Sequence, residues 1–237
     1  MLKELLEIDK NDIITVVGAG GKTSLITYLT KQFSSEYKVL LTTTTKIYLP
    51  KSSDYDNKIM LTKKSDTFII NKGITLCGRY LNDENKVVGL TFDELDKLVS
   101  EFDISFIEGD GSKKKKLKGW KDNEPLVYKK TTKTIGVLDI TSYDMYINDK
   151  NIHRLDKFLN ICGLYNNKIT LENLKNIVLK EQGLFKNSRG QKILFINKVE
   201  NVYREKLAKD LIKLIRKEND TIDILYGSLI RSYYRKG

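Results

Sequence analysis

The chain has little of the chemistry that many proteins depend on. Its 237 residues include two cysteines, two prolines, one histidine and one tryptophan. Cys77 and Cys162 stand far apart with no C-x-x-C spacing and no framework of pairs, so they read as buried apolar residues rather than as ligands or a bridge. With one histidine, His153, no imidazole cluster can form, and a lone histidine reads first as structural or surface. No apolar run approaches the length that spans a bilayer, and Met1 to Leu6 is too short and too acidic for a signal peptide. The expectation is a cytoplasmic protein without a membrane partner. Pro50 and Pro125 are the only prolines, no repeat is present, and no flexible linker marks a boundary.

What is abundant is lysine. The net charge is +11, from 42 Lys+Arg against 31 Asp+Glu. Lysine is spread over the whole chain beside many Asn and Ile residues, and zinc-finger, recognition-helix and aromatic RNA-binding signatures are all missing. The excess therefore reads as a solvated surface rather than a nucleic-acid face. Forty per cent hydrophobic residues over this length suffice for a large core without staples.

Apolar β-branched runs alternate with helical periodicity. Ile13–Val17, Lys38–Thr42, Ile104–Ile107, Thr134–Leu138, Lys192–Ile196 and Ile222–Tyr226 read as strands. Lys22–Phe33, a helix starting at the Thr91/Glu94 capping box, Asn151–Tyr165, Thr170–Lys180 and Tyr203–Lys217 read as helices. The alternation predicts an α/β fold, a mostly parallel twisted sheet with helices on both faces. Between about 57 and 90 lie shorter pieces, Lys58–Leu61, Thr67–Ile70, Ile74–Cys77 and Lys86–Val88, the last two joined by the turn Asn82–Asn85. These predict a small antiparallel insertion or a sheet edge, within one domain covering 1–237.

Chemistry concentrates at the ends of the predicted strands. Gly18-Ala19-Gly20-Gly21-Lys22-Thr23-Ser24 follows one strand and opens a helix. Glycines permit positive φ and close backbone approach, and a helix start offers free N–H groups to an anion. In such a P-loop Lys22 reaches the terminal phosphates of ATP or GTP, and Thr23 places its hydroxyl on Mg²⁺. The pattern is the short G-x-x-G-K-T, because Val16 stands where the full eight-residue motif has glycine. The short form also occurs in Mur-type amino-acid ligases.

Glu108 and Asp110 follow a second strand and are both candidates to support the metal. Asn197-Lys198-Val199-Glu200 follows another strand and has the form of a guanine-reading N-K-x-D segment with Glu200 for the aspartate. Asn197 and Lys198 are thus either base contacts or an ordinary helix start. Thr42–Thr45 with Lys46 falls at a strand's carboxyl edge, where α/β sheets bind ligands. The run Lys113–Lys116 is either a solvated loop or an anion-attracting rim.

Taken together, V-G-A-G-G-K-T-S, L-T-T-T-T-K-I, E-G-D-G-S with a basic stretch to Lys118, N-E-P-L-V and I-H-R resemble the YqeC family over Ile13 to Arg154. The resemblance implies a P-loop NTPase-like fold and an accessory role in maturing selenium-dependent molybdenum hydroxylases. A molybdenum cofactor or hydroxylase would then be a partner beside the nucleotide. It carries Lys46, Lys118, Glu124, Pro125, His153 and Arg154 into the site. Gly109 replaces the family's usual alanine, lysines replace prolines after Ser112, and Asn123 replaces a histidine. Three readings follow: a nucleoside-triphosphate-hydrolysing accessory factor, an ATP-dependent small-molecule ligase or kinase, and a non-catalytic nucleotide-gated module.

Overall fold

The computed structural model describes residues 1–61, 70–163 and 167–237. Thirteen strands and six helices are described: α1 (Leu2–Leu5), β1 (Ile13–Gly18), α2 (Lys22–Phe33), β2 (Lys38–Thr43), β3 (Lys46–Tyr48), β4 (Asn57–Met60), β5 (Gly73–Gly78), β6 (Lys86–Val88), α3 (Phe92–Leu98), β7 (Ile104–Glu108), β8 (Leu117–Lys118), β9 (Lys133–Asp139), β10 (Ile152–His153), α4 (Leu155–Cys162), α5 (Leu171–Leu179), β11 (Gln191–Asn197), α6 (Val202–Arg216), β12 (Asp223–Ser228) and β13 (Tyr233–Lys236). Nine strands form one sheet in the order β13-β12-β11-β9-β1-β7-β2-β5-β4. Every pairing in it is parallel except β12 with β13.

The central strands are apolar at consecutive positions because both sheet faces are covered. Alternate side chains go to opposite layers. Ile193 and Phe195 of β11 join Ile14, Val16, Leu25 and Leu29 on the face carrying α1 and α2. Leu194 and Ile196 join Phe158, Leu174 and Leu211 on the face carrying α4, α5 and α6. A third cluster packs Leu95 and Leu98 of α3 against Leu40, Cys77 and Ile107. Both cysteines are buried and unpaired, and burial pushes each thiol up to about 12. No described helix is long and apolar enough to cross a membrane.

The fold class is as predicted, but three local expectations change. The segment 57–90 divides between the two expected forms: β4 and β5 are a sheet edge, extending the main sheet in parallel beyond β2. Only β6 pairs antiparallel, and it does so with β3 to make a small second sheet. The Asn82–Asn85 turn is present, with Asn82 N–H and Val88 N–H donating to Lys86 and Tyr80 carbonyls, yet it leads from β5 into that second sheet. Of the expected piece Thr67–Ile70, residues 67–69 lie outside the described residues.

The helix expected over Asn151–Tyr165 starts at Leu155 instead. Ile152 and His153 pair in parallel with Leu117 and Lys118, and Arg154 turns left-handed (φ 57°), so the helix cannot begin earlier. Its predicted end at Tyr165 lies outside the described residues. β13 pairs at the sheet edge without having been expected, because its Tyr-Tyr-Arg-Lys sequence has no apolar alternation.

Candidate functional site

Parallel strands all present their carboxyl ends on one edge, and register aligns the functional residues there. Glu108 pairs with Val16 on one side and Thr43 on the other. Asn197 pairs with Asp139. Strand β1 is flanked by β7 and β9, which enter the sheet much later in the chain, so the glycine bend after β1 lies at a crossing point of the topology.

The bend is a strand-to-helix turn. Gly18, Gly20 and Gly21 adopt φ of 102°, 80° and 137°. A Cβ on Gly20 would lie 2.2 Å from Asp139 Cβ, and one on Gly21 would lie 2.3 Å from Asn197 Nδ2. Glycine is therefore required at these two positions by space as well as by conformation. Ala19 N–H donates to the Val137 carbonyl. From Gly20 to Ser24, the backbone N–H groups have no acceptor among the described residues. Five consecutive free donors thus head the twelve-residue helix α2.

These residues line a cleft of about 750 Å³. Glu108, Thr45 and Lys46 line the β7–β2 side, and Lys198 lines the β11 side. Tyr48 and Lys86 come from the small sheet, Gly111 to Lys116 from the basic loop, and Glu124, His153 and Arg154 complete the wall. His153 is buried, and burial with the nearby Arg154 and Lys118 charges lowers its pKa to about 4, so it is a neutral imidazole at pH 7.

Glu108 and Asp110 shared one expectation, and the structure separates them. Glu108 faces the cleft and accepts from Thr23 Oγ1 at 2.8 Å. Burial raises its pKa, and Lys22 at 3.6 Å and Thr23 offset only part of that. Asp110 is fully buried and does not reach the cleft. It accepts from Gly18 N–H (3.1 Å), Trp120 Nε1 (2.7 Å) and Lys118 Nζ (3.0 Å), with Lys22 Nζ at 3.3 Å. Burial works against its charge, but Lys22 and Lys118 outweigh it and hold the carboxyl below the usual range. Asp110 is bonded to the loop at Gly18, whereas Glu108 faces the cleft.

Lys22 donates to the Gly18 carbonyl at 2.7 Å and is buried between the two carboxylates. Burial disfavours its charge, yet Asp110 and Glu108 hold its pKa above the ordinary lysine value. Lys118 bridges Asp110 to Glu124 (3.2 Å), and Glu124 accepts both guanidinium nitrogens of Arg154. Burial raises Glu124, but Arg154 and Lys118 hold it below its usual value. One charge-paired chain therefore runs from Arg154 at the cleft wall to Lys22 in the bend.

Other predicted residues take supporting places. Asn197 lies beneath the bend, donating to the Gly20 carbonyl at 3.1 Å, and does not line the cleft. Lys198 lines the cleft but pairs with Asp139 (2.6 Å), and Glu200 is held by Arg204 (2.8 Å). Thr42, Thr43 and Thr44 donate to the Cys77, Glu108 and Leu126 carbonyls, which leaves Thr45 and Lys46 as the cleft-facing part of that run. The sequence reading missed Asp139, Trp120, Tyr48 and Lys86. Asp139 had the same signal as Glu108, a carboxylate closing a core strand. The other three had none, since they meet the site only through folding.

The fold and this edge define an α/β protein with an open, mostly parallel sheet and a glycine-bend cleft at the carboxyl ends of its strands. The chain belongs to the YqeC family, whose model, described as YqeC protein, matches residues 14–156. It is 34% identical over 197 residues to the Escherichia coli (strain K12) protein named Uncharacterized protein YqeC, which covers 78% of this chain and 75% of that relative. No solved structure matches the chain.

Proposed function

We propose that this protein binds and hydrolyses a nucleoside triphosphate with Mg²⁺, as an accessory factor in maturing selenium-dependent molybdenum hydroxylases. One observation carries the nucleotide reading: five adjacent free N–H groups open into a cationic cleft at the head of α2. Such a crown suits a polyphosphate, since the amides need no reorganisation to donate.

The residues present fit both implied groups. Mg²⁺ is a hard ion that takes few protein ligands and completes its shell with phosphate oxygens and water. Thr23 Oγ1 and Glu108 would hold it, directly or through water, and it would supply neutralisation of phosphate charge. The rest is the work of the chain. The Gly20–Ser24 amides donate to phosphate oxygens. Lys22 exchanges the Gly18 carbonyl for the terminal phosphates, and its charge is kept by Asp110 and Glu108. Asp110 holds the loop through Gly18 N–H, and Lys118 with Trp120 keeps Asp110 ionised. Asn197 steadies Gly20 from below.

The role in hydroxylase maturation rests on family resemblance, and two free buried thiols suit the cytoplasm we assign. Calorimetry of Mg–ATP and Mg–GTP tests the nucleotide reading. Lys22→Ala should bind roughly tenfold to a hundredfold more weakly, the worth of a charged hydrogen bond; unchanged affinity in a folded variant refutes it. Repeating the titration with purified molybdenum cofactor tests the finer role. A second reading, an ATP-dependent ligase or kinase, is favoured by the cleft's lining, which includes a basic wall of Lys46, Lys86 and Lys113–Lys116 besides the Gly20–Ser24 crown.

A further inference from the structure

We propose that the wall formed by Lys46, Tyr48, Lys86 and Lys114 is a second anion subsite. It would hold a phosphate or other multivalent oxyanion of a second substrate beside the terminal-phosphate end of the nucleotide. The proposal rests on the nucleotide reading above and names the substrate class that the same cleft would admit.

Four observations converge. First, topology separates this wall from the opposite flank. Lys46 follows β2 and lies beyond Glu108 of β7, whereas Lys198 follows β11 on the far side of the bend. A ligand on the Lys46 side therefore meets the metal-side carboxylate. Second, the Tyr48 ring, half exposed on β3, gathers two ammonium groups into the cleft. Lys114 Nζ lies 4.4 Å and Lys86 Nζ 4.9 Å from its centroid. Third, Lys46, Lys113 and Lys114 have no carboxylate within ion-pair reach among the described residues, whereas Lys86 is paired with Glu84, Lys198 with Asp139, and Lys115 and Lys116 are bonded to carbonyls. The three unpaired cations repel one another, and an anion removes that cost.

Fourth, backbone strain marks the wall. Lys113 and Lys114 are consecutive non-glycine residues with φ of 50° and 63°. Left-handed backbone at such residues persists only where the surroundings impose it, and it clusters at ligand sites. Here it turns Lys114 onto Tyr48. Tyr48 acts as a positioning residue, and the lysines make the contact. The lysines line a cleft and not an extended surface stripe, which favours a small anion over nucleic acid.

The test uses the full chain, saturated with Mg²⁺ and the non-hydrolysable analogue AMP-PNP, and titrated with inorganic pyrophosphate by calorimetry. One further pyrophosphate should bind. Lys86→Ala/Lys114→Ala should weaken it at least tenfold while leaving AMP-PNP affinity within about twofold, since these two side chains bind neither the bend nor Glu108. Tyr48→Leu should weaken pyrophosphate and Tyr48→Phe should restore it, because the ring face and not the hydroxyl holds the ammonium groups. If AMP-PNP binds and pyrophosphate does not, the subsite is refuted and the nucleotide reading stands. If AMP-PNP fails to bind, the nucleotide reading falls, and the subsite as defined beside it falls with it. Equal weakening of both ligands in the double variant, or salt-dependent duplex DNA binding at the same lysines without pyrophosphate binding, also overturns the proposal.

Discussion

Replacing Asp110 and Glu108 in turn by neutral isosteres should give opposite results, although the two carboxylates lie two residues apart. Asp110→Asn removes the charge facing Lys118 at 3.0 Å and Lys22 at 3.3 Å. At an effective dielectric of about 20, each contact is worth about 5 kcal/mol gross. Desolvation consumes much of this, and breaking such a buried pair typically costs about 3–5 kcal/mol net. For a chain of this length that is a fall in Tm of roughly 6–20 °C.

Glu108→Gln keeps an acceptor for Thr23 and removes a charge that burial already disfavours. Its stability cost should stay within about 1–2 kcal/mol, while Mg²⁺-dependent turnover should fall roughly a hundredfold or more.

The pH dependences differ in sign. Asp110 is lowered from its ordinary 3.8, so its contribution is present above that pH and lost as pH falls through its folded value. The deficit of Asp110→Asn should therefore shrink in acid. Glu108 is raised from 4.5, so its contribution is full below that pH and lost as pH rises through its folded value. Glu108→Gln should therefore gain on the wild type as pH rises. Urea unfolding at a series of pH values reads both. Equal costs for the two variants, or the reverse order, would refute the division of labour between them.

Further outcomes follow from the same geometry. Gly20→Ala, whose Cβ would strike Asp139 Cβ at 2.2 Å on a φ of 80°, should lose about 2 kcal/mol or more of stability by thermal melt and bind nucleotide weakly. Asn197→Ala should weaken nucleotide binding by about tenfold through a slackened loop, with no change in the preference between ATP and GTP, because its amide bonds only the Gly20 carbonyl and the Lys198 N–H. His153 is lowered from 6.5 to about 4, so the unfolded chain binds more protons between those values and stability falls as pH drops across that window. His153→Gln should flatten that slope in denaturant melts. Trp120, the single tryptophan, is bonded to Asp110, so its emission should shift when nucleotide draws Lys22 away; a silent titration in the presence of calorimetric binding would contradict that coupling.

Local rules carried a large part of this protein. Runs such as Ile-Leu-Phe-Ile at 193–196 read as short strands covered on both faces, and they alternate with amphipathic helices, so the parallel sheet was legible. Its carboxyl ends then had to collect Gly18–Ser24, Glu108 and Lys198 along one edge. What the sequence could not decide was anything set by which strands become neighbours. β4 and β5 read equally as an antiparallel insertion or a sheet edge, and only the assembled sheet makes them the edge beyond β2. Glu108 and Asp110 look equivalent, and only burial beside Lys118 and Trp120 makes one a loop anchor and leaves the other facing the cleft. Asp139 beneath Gly20, and Lys86 and Lys114 over Tyr48, meet across long chain separations. Such contacts follow from packing the whole molecule, because burial, the state of a buried charge and the space beside a glycine depend on residues that no local pattern names.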